Sequence, residues 1–542
     1  MSNEAQNEAL PEVSEMKQRP KPVVLVILDG WGVAPPSRGN AVTLANTPTM
    51  DKLIATYPTT TLRASGEAVG LPWGERGNSE VGHLSLGSGR VIYQNLSRIT
   101  KSILDKSFFN NSIFLKAIKH VKKNNSSLHF LGLISNSAVH SHIEHLYALL
   151  ELAKSQKIEK VYIHGILDGR DMPFNSGLDI VSHLKERLDG LGVGKIATLS
   201  GRWWAMDRDN HWDRIEKAYL AMTEGESDKQ FSDPVEAIKA SYNKKIYDEE
   251  FVPVIITEGN NPVAKVQEED AVIFFNYRVD RVRQITKAFV LPTFEKFSRG
   301  KYLKNIFFVT MTEYERDLPV EVAFPSSQIE TPLAKVLSIA GLTQLHIAET
   351  EKYAHVTYFF NGGQDVVFEG EDRILIPSPQ VSSYDQKPEM SAREITQKVI
   401  QVVSANKYDF IVVNFANPDM VGHTGNLEAS IKAVEIVDKC LGEIIESVLF
   451  TGGVVTVTAD HGNIEELLNL QIGAIDKEHS TNPVPFILVG NQWQGKTAGF
   501  PSVPGNDLSL ISPQGVIIDV APTILKTMDF KQPQEMTGRP LI

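Results

Sequence analysis

Three short stretches offer carboxylates, two of them with an imidazole beside them, at spacings that suit a divalent cation. They are Asp29-Gly30 after VVLVIL, Asp419 and His423 in NPDMVGHTG, and Asp460-His461 in TADHGN. Asp419 and His423 stand four residues apart, so one helical turn puts both side chains on the same face. Asp460 and His461 directly follow the apolar run VVTVT, where two polar side chains are costly to bury without partners. His479 in EHSTNPVP completes a set of three Asp and three His with no thiolate. That donor set suits Mn, Zn, Co or Mg, and with a serine it suffices for two ions. Two ions at one site clamp the attacking and leaving oxygens of an in-line phosphoryl displacement. Each piece also has an ordinary structural reading, Asp-Gly as a turn or cap and Asp419 with His423 as a cap beside a surface histidine.

The candidate nucleophile is Ser79 in RGNSEVGHLSLGSG. Gly77 before it and a helix-like start after it would set backbone N–H groups beside a phosphate. Read locally, Ser79 fits better still as a helix N-cap with Glu80 in the first turn. A further set is rich in arginine: VHSH with His140, DGRD with Arg170 and Asp171, GRWWAMDRD with Arg202 and Arg208, and NYRVDR with Arg278 and Arg281. Arginine forks bind carboxylate and phosphate in bidentate fashion, so their convergence suits a small dianion. Any one of them alone reads as a surface residue.

These residues need elements to hold them. VVLVILDG (23–30), SLHFLGLIS (127–135), KVYIHGILDG (160–169), KIATLSG (195–201), AVIFFNYR (271–278), NIFFVTMT (305–312), FIVVNFAN (410–417), VVTVTADHG (454–462) and PFILVG (485–490) read as strands. Their continuous apolar character predicts burial on both faces, as in parallel sheets. Residues 426–449 carry Ile431, Val434, Val437, Leu441, Ile444, Ile445 and Val448 at three- and four-residue steps, a helical stripe. Strands alternating with helices predict an α/β fold, with ligands beyond the carboxyl ends of the strands. Residues 64–90 are rich in Gly and Ser, and 313–332 holds Pro319, Pro325 and Pro332. If both are hinges, the middle third is a domain inserted into one built from the two ends.

The chain has 542 residues, 42% hydrophobic and 22% charged, which predicts at least two domains of an ordinary globular kind. Lys plus Arg is 54 against 66 for Asp plus Glu; the resulting −12 disfavours nucleic acid and anionic membranes as partners. The single Cys440 excludes an intrachain disulfide framework and, lying in the helical stripe, reads as a buried inert thiol. No stretch reaches the roughly 20 apolar residues of a membrane-spanning helix. Residues 1–20 lack the apolar core of a signal peptide and read as a flexible tail, which points to the cytoplasm.

Taken in order, LDGWG (28–32), GNSEVGH (77–83), VHSH, LDGRD, GR-x-x-AMDRD, FFN-x-R-x-DR, ETEKYAHVT (349–357), NPDMVGHTG, TADHGN and H-x-TNPVP resemble the cofactor-independent phosphoglycerate mutases of the alkaline phosphatase superfamily, across about residues 23–542. The resemblance implies an alkaline-phosphatase-like parallel-sheet domain (21–93 and 328–542) that holds the metals, and an inserted α/β transferase domain (94–327) that holds the substrate. It implies interconversion of 3- and 2-phosphoglycerate in glycolysis and gluconeogenesis, with two divalent ions, manganese foremost, and no 2,3-bisphosphoglycerate. Ser79 would become phosphoserine. Asp419, His423 and His479 would hold one ion; Asp29, Asp460, His461 and Ser79 the other. His140, Arg170, Asp171, Arg202, Arg208, Arg278, Arg281 and Lys352 would bind or orient the phosphoglycerate, with Asp171 moving protons. The expected chain is a monomer acting on a small molecule, its domains closing about hinges near 90–95 and 325–330.

Two departures from the family pattern stand out. Ser135-Asn136-Ser137-Ala138 replaces a usual Ser-Asp-Gly-Gly, and Trp203-Trp204 replaces a usual Tyr-Tyr. A phosphopentomutase or alkaline phosphatase would share the metal ligands but not the arginine set. A sulfatase is disfavoured because Cys440, mid-helix, is far from any strand end.

Overall fold

The computed structural model describes residues 19–325 and 329–542. The expected flexible tail lies almost wholly outside them, as does the middle of the expected 325–330 hinge. The chain forms two compact units, one running to Tyr93 and resuming at Gln328, the other Gln94–Ser327.

The first unit is built on an eight-stranded sheet. Its order is Glu371–Ile376, Gln344–Glu349, Phe410–Phe415, Val23–Leu28, Val454–Thr458, Val484–Val489, Thr59–Arg63 and Gly515–Val516. Val23–Leu28 lies at the centre, every residue buried, paired in parallel with Phe410–Phe415 on one side and Val454–Thr458 on the other. The all-apolar, β-branched run is what such a doubly covered strand requires. The sheet is mixed: Val484–Val489 pairs antiparallel with both Val454–Thr458 and Thr59–Arg63. A continuous apolar run therefore reported burial on both faces here, and not strand direction.

Helix Leu427–Phe450 covers this sheet, burying Val434, Val437, Leu441, Ile444, Ile445 and Val448 as the stripe predicts. Its Asn426 cap accepts from the Ala429 N–H, satisfying one of the first-turn donors. Cys440 is buried in that stripe and free, and burial raises its thiol pKa.

The second unit carries a nine-stranded sheet. The order is Glu321–Phe324, Phe307–Thr312, Ala271–Phe274, Leu128–Leu133, Val161–Leu167, Lys195–Gly201, Val254–Glu258 and Gln230–Phe231, with Asn261–Pro262 pairing on Val254–Glu258. The strands from Glu321–Phe324 to Lys195–Gly201 are parallel, and Val254–Glu258 turns antiparallel. The Gly/Ser-rich stretch 64–90 is no linker: it contains helix Ser79–Ser88, whose residues are mostly buried inside the first unit. Among the described residues no helix is long and apolar enough to cross a membrane.

Candidate active site

In the first unit, four adjacent parallel strands deliver one polar group after another at their carboxyl ends. Asp29 follows Val23–Leu28, Lys352 follows Gln344–Glu349, Asp419 follows Phe410–Phe415, and Asp460-His461 follows Val454–Thr458. All five are buried. Gly30 makes the convergence possible: its φ is +77°, and a Cβ there would lie 2.8 Å from the Asp419 Cα.

Ser79 is the first residue of helix Ser79–Ser88 and does not cap it. The cap is Asn78, whose side chain accepts from the Val81 N–H at 2.9 Å. That division of labour frees the serine hydroxyl. Ser79 Oγ accepts from Lys352 Nζ at 2.7 Å and lies 2.9 Å from His461 Nε2 and 3.4 Å from Asp29 Oδ1. Gly82 lets this helix approach: a Cβ there would meet the Asp460 backbone oxygen at 2.7 Å.

The imidazoles are oriented as cation ligands usually are, each with one nitrogen committed to a carbonyl. His423 Nδ1 donates to Lys477 O at 2.7 Å, His479 Nδ1 to Gly77 O at 2.8 Å, and His461 Nδ1 to Gly462 O at 3.2 Å. The remaining Nε2 atoms of His423 and His479 face each other at 3.0 Å, and lie 3.3 and 3.2 Å from Asp419 Oδ1. Two acceptor nitrogens and a carboxylate oxygen so arranged fit a shared cation. In the neighbouring cluster, the buried Asp460 Oδ2 lies 3.2 Å from His83 Nδ1 and 3.4 Å from His461 Nε2, an oxygen likewise placed to meet an ion.

Two groups of donors lie within 4.8 Å of one another: Asp419, His461 and His479, and Asp29, His83 and Asp460. This grouping gives His461 to the Asp419 side and introduces His83, which the sequence reading did not single out. The hydrogen bonds argue against His83 as a ligand. Its Nδ1 donates to Ser79 O at 2.8 Å and its Nε2 meets Asn414 Nδ2 at 2.9 Å, so neither nitrogen is spare. Asn414 also donates to Asp29 Oδ2 at 2.8 Å. His83 and Asn414 thus tie the first turn of the serine helix to Asp29. Sequence offers little signal for this pair beyond His83 standing four residues after Ser79.

The charges are strongly coupled. Burial raises the Asp29 pKa, helped by Asp460 and opposed by Lys352. Burial also acts to raise Asp419 and Asp460, but positive neighbours win: Lys352 with His423 and His479 holds Asp419 well down, and His461 with His83 holds Asp460 down. Burial acts to lower Lys352, yet Asp29 and Asp419 hold its ammonium well above the usual range.

In the second unit, the sequence-predicted set gathers at the carboxyl edge of the parallel strands. His140 follows Leu128–Leu133, Arg170 and Asp171 follow Val161–Leu167, Arg202 and Arg208 follow Lys195–Gly201, and Arg278 and Arg281 follow Ala271–Phe274. Arg202 is buried and donates to Asp168 at 2.7 Å, to Asp171 at 2.5 Å and to His140 Nε2 at 3.0 Å. Burial and the Arg202 charge push His140 down to about 4, so it is neutral at pH 7 and accepts that bond. Arg208 and Arg278 share Asp280 at 2.9 and 3.2 Å, and both are about half exposed. Arg170 reaches Glu249 at 3.3 Å. Burial lowers the Arg281 pKa, and the next causes are the charges of Arg208, Arg202 and Arg170, which shows four guanidinium groups in one field. Such a field attracts a small anion.

Of the residues that depart from the family pattern at 136–138, Ser137 joins the Ser135 of the usual pattern on one carboxylate. The Ser135 and Ser137 hydroxyls donate to Asp168 Oδ2 at 2.6 and 3.3 Å, reinforcing the carboxylate that holds Arg202.

A family model described as the BPG-independent PGAM N-terminus matches residues 99–316, and one described as type I phosphodiesterase / nucleotide pyrophosphatase matches 338–476. The chain is 49% identical over 545 residues to the 2,3-bisphosphoglycerate-independent phosphoglycerate mutase of Chloroflexus aggregans, covering 97% of this chain and 99% of that protein. The Moorella thermoacetica enzyme of the same name is 49% identical over 522 residues, with 96% and 98% covered. A crystal structure of Leishmania mexicana phosphoglycerate mutase at low cobalt concentration superposes with a TM-score of 0.56 at 29% identity, covering 98% of this chain and 99% of that one. With this similarity running almost end to end, the chain belongs to the family of 2,3-bisphosphoglycerate-independent phosphoglycerate mutases.

Proposed function

We infer that this chain interconverts 3-phosphoglycerate and 2-phosphoglycerate by passing the phosphoryl group through Ser79. The observation that carries the reading is the Ser79 hydroxyl, relieved of capping by Asn78 and held among Lys352, His461 and Asp29. Membership of the family supports the reaction and its independence of 2,3-bisphosphoglycerate.

Asp419, His423 and His479 would hold one divalent ion, and Asp29, Asp460, His461 and Ser79 a second. Manganese is the proposed ion, since mixed carboxylate and imidazole donors without thiolate suit it. Bound there, the ions supply Lewis acidity and charge neutralisation at the transferring phosphoryl group.

The chain's own residues do the rest. Arg170, Arg202, Arg208, Arg278 and Arg281 bind the anionic ends of the phosphoglycerate, His140 orients it as a neutral imidazole, and Lys352 neutralises charge beside Ser79. Ser79 passes its proton toward Asp29 Oδ1, the acceptor its hydroxyl already faces at 3.4 Å, as a bond forms between Ser79 Oγ and phosphorus and the bond from phosphorus to the glycerate oxygen breaks. That oxygen takes a proton from Asp171. The glycerate turns without leaving, its other hydroxyl returns a proton to Asp171 and takes the phosphoryl group back, and Ser79 recovers its own proton from Asp29. The proposed protein works as a monomer in the cytoplasm.

Incubation with 3-phosphoglycerate and manganese should yield 2-phosphoglycerate without added bisphosphoglycerate and with little free phosphate. A chelator-stripped sample should be idle, and acid should weaken ion binding because protons compete for the imidazoles. Free phosphate as the main product would replace this reading with a phosphatase.

A further inference from the structure

Trp203 is 41% exposed, a large aromatic ring left partly at the surface. Its ring is covered by a cation: the Arg214 guanidinium sits 3.7 Å from the ring centroid. Arg214 lies in helix Trp212–Thr223, and three residues further on Lys217 stands 5.0 Å over the Trp204 ring. One helix face thus presents two cations to the two adjacent tryptophans of the short helix Arg202–Ala205.

Arg214 has a second engagement. It donates to Asp207 Oδ2 at 3.1 Å, and Asp207 is buried. Asp207 organises the loop beyond it: Oδ1 accepts from the N–H groups of Asp209 and His211, both at 2.9 Å. Arg208 stands between Asp207 and the first of those amides, and the Met206 carbonyl just before Asp207 accepts from Arg281 at 3.2 Å. Two of the anion-binding arginines therefore depend on a loop whose buried carboxylate is neutralised by a guanidinium that an aromatic face holds in place.

We propose that Trp203 is a positioning residue which, through Arg214 and Asp207, fixes loop 206–211 and so sets affinity for the anionic substrate. Without the aromatic face Arg214 regains its rotamers, Asp207 Oδ2 is left at intervals to His211 Nδ1 alone, 3.2 Å away, and Arg208 and the Arg281 anchor loosen together. The kinetic half of this proposal rests on the phosphoglycerate reading above; the loop half does not.

The test joins a mutant cycle to amide exchange. Trp203→Ala should speed hydrogen exchange at the Asp209 and His211 amides several-fold and raise KM for 3-phosphoglycerate about three- to tenfold, the worth of one cation–π contact, with kcat changed less than about twofold. Trp203→Tyr, which keeps a ring face, should restore both. Arg214→Gln should behave like Trp203→Ala, and the double variant should be no worse than either single one. Unchanged amide exchange in Trp203→Ala overturns the clamp. Faster exchange with unchanged KM overturns its link to substrate, and additive KM effects mean that Trp203 acts other than through Arg214. A wild-type chain that exchanges as expected but turns over no phosphoglycerate fails the functional reading and leaves the clamp standing.

Discussion

The Lys352 ammonium donates to the Ser79 hydroxyl at 2.7 Å, and the same nitrogen reaches Asp29 at 2.7 Å and Asp419 at 2.6 Å. One lysine thus touches the proposed nucleophile and one carboxylate from each proposed ion site. An ammonium so buried persists because the carboxylates around it more than offset its lost hydration.

Replacing this lysine tests that balance. Lys352→Met should leave Asp29 and Asp419 without their common counter-charge and cost about 3–5 kcal/mol of stability in chelator. Lys352→Arg, with the charge but a bulkier planar head, should recover part of the stability and little of the activity. Denaturant midpoints of the three proteins decide it. A Met variant as stable as wild type would show that the lysine is not needed as a counter-ion.

Glu349 gives a pH signature away from the proposed ligands. It is fully buried, accepts from Ser378 Oγ at 2.8 Å and Ser391 N at 3.4 Å, and burial pushes its pKa up to about 7. The folded state therefore holds its proton more tightly than the unfolded state. Its contribution to stability is complete below the unfolded value of 4.5 and is lost as pH rises through about 7. Glu349→Gln, always neutral, should gain on wild type by about 2–3 kcal/mol between pH 5 and pH 8. Paired melts across that range measure the gap; a gap that does not change with pH would contradict the assignment.

The arginine field makes a different prediction. Arg278 and Arg208 share Asp280 and stand half exposed, so removing either should leave the fold intact. Arg278→Ala should raise KM by about tenfold or more, the worth of one charge-assisted contact, and lower kcat less. A glycerate held less firmly should also be lost more often from the phosphorylated enzyme, so the share of phosphate released to water should rise. Product analysis showing an unchanged partition would remove Arg278 from the binding set.

Much of this site was legible because its parts are local. Asp29, Asp419 and Asp460 each follow a predominantly apolar, fully buried strand, and a charged residue at such a strand end announces itself. The strands Gln344–Glu349 and Glu371–Ile376 were missed because QLHIAE and EDRILI mix charge with apolar residues, and the second is an edge strand with half-exposed side chains. TTTLR was missed because its threonines give no apolar run, although four of its five residues are buried. Lys352 carried no local signal and entered through family resemblance alone. Asn78 takes the cap that Ser79 seemed to fill, a choice between neighbours that propensity ranks as equal. His83 and Asn414 matter through a contact spanning 331 residues, which no spacing rule reads.

The central claim is that the phosphoryl group passes through Ser79. The direct measurement is to quench the manganese-loaded enzyme during turnover of 3-phosphoglycerate labelled in its phosphate and to locate the label on the digested chain. The account predicts label on the peptide containing Ser79, formed at least as fast as product, and neither label nor turnover above about a thousandth of wild type in Ser79→Ala. Label on another residue, or a Ser79→Ala variant that still interconverts the phosphoglycerates, would contradict it.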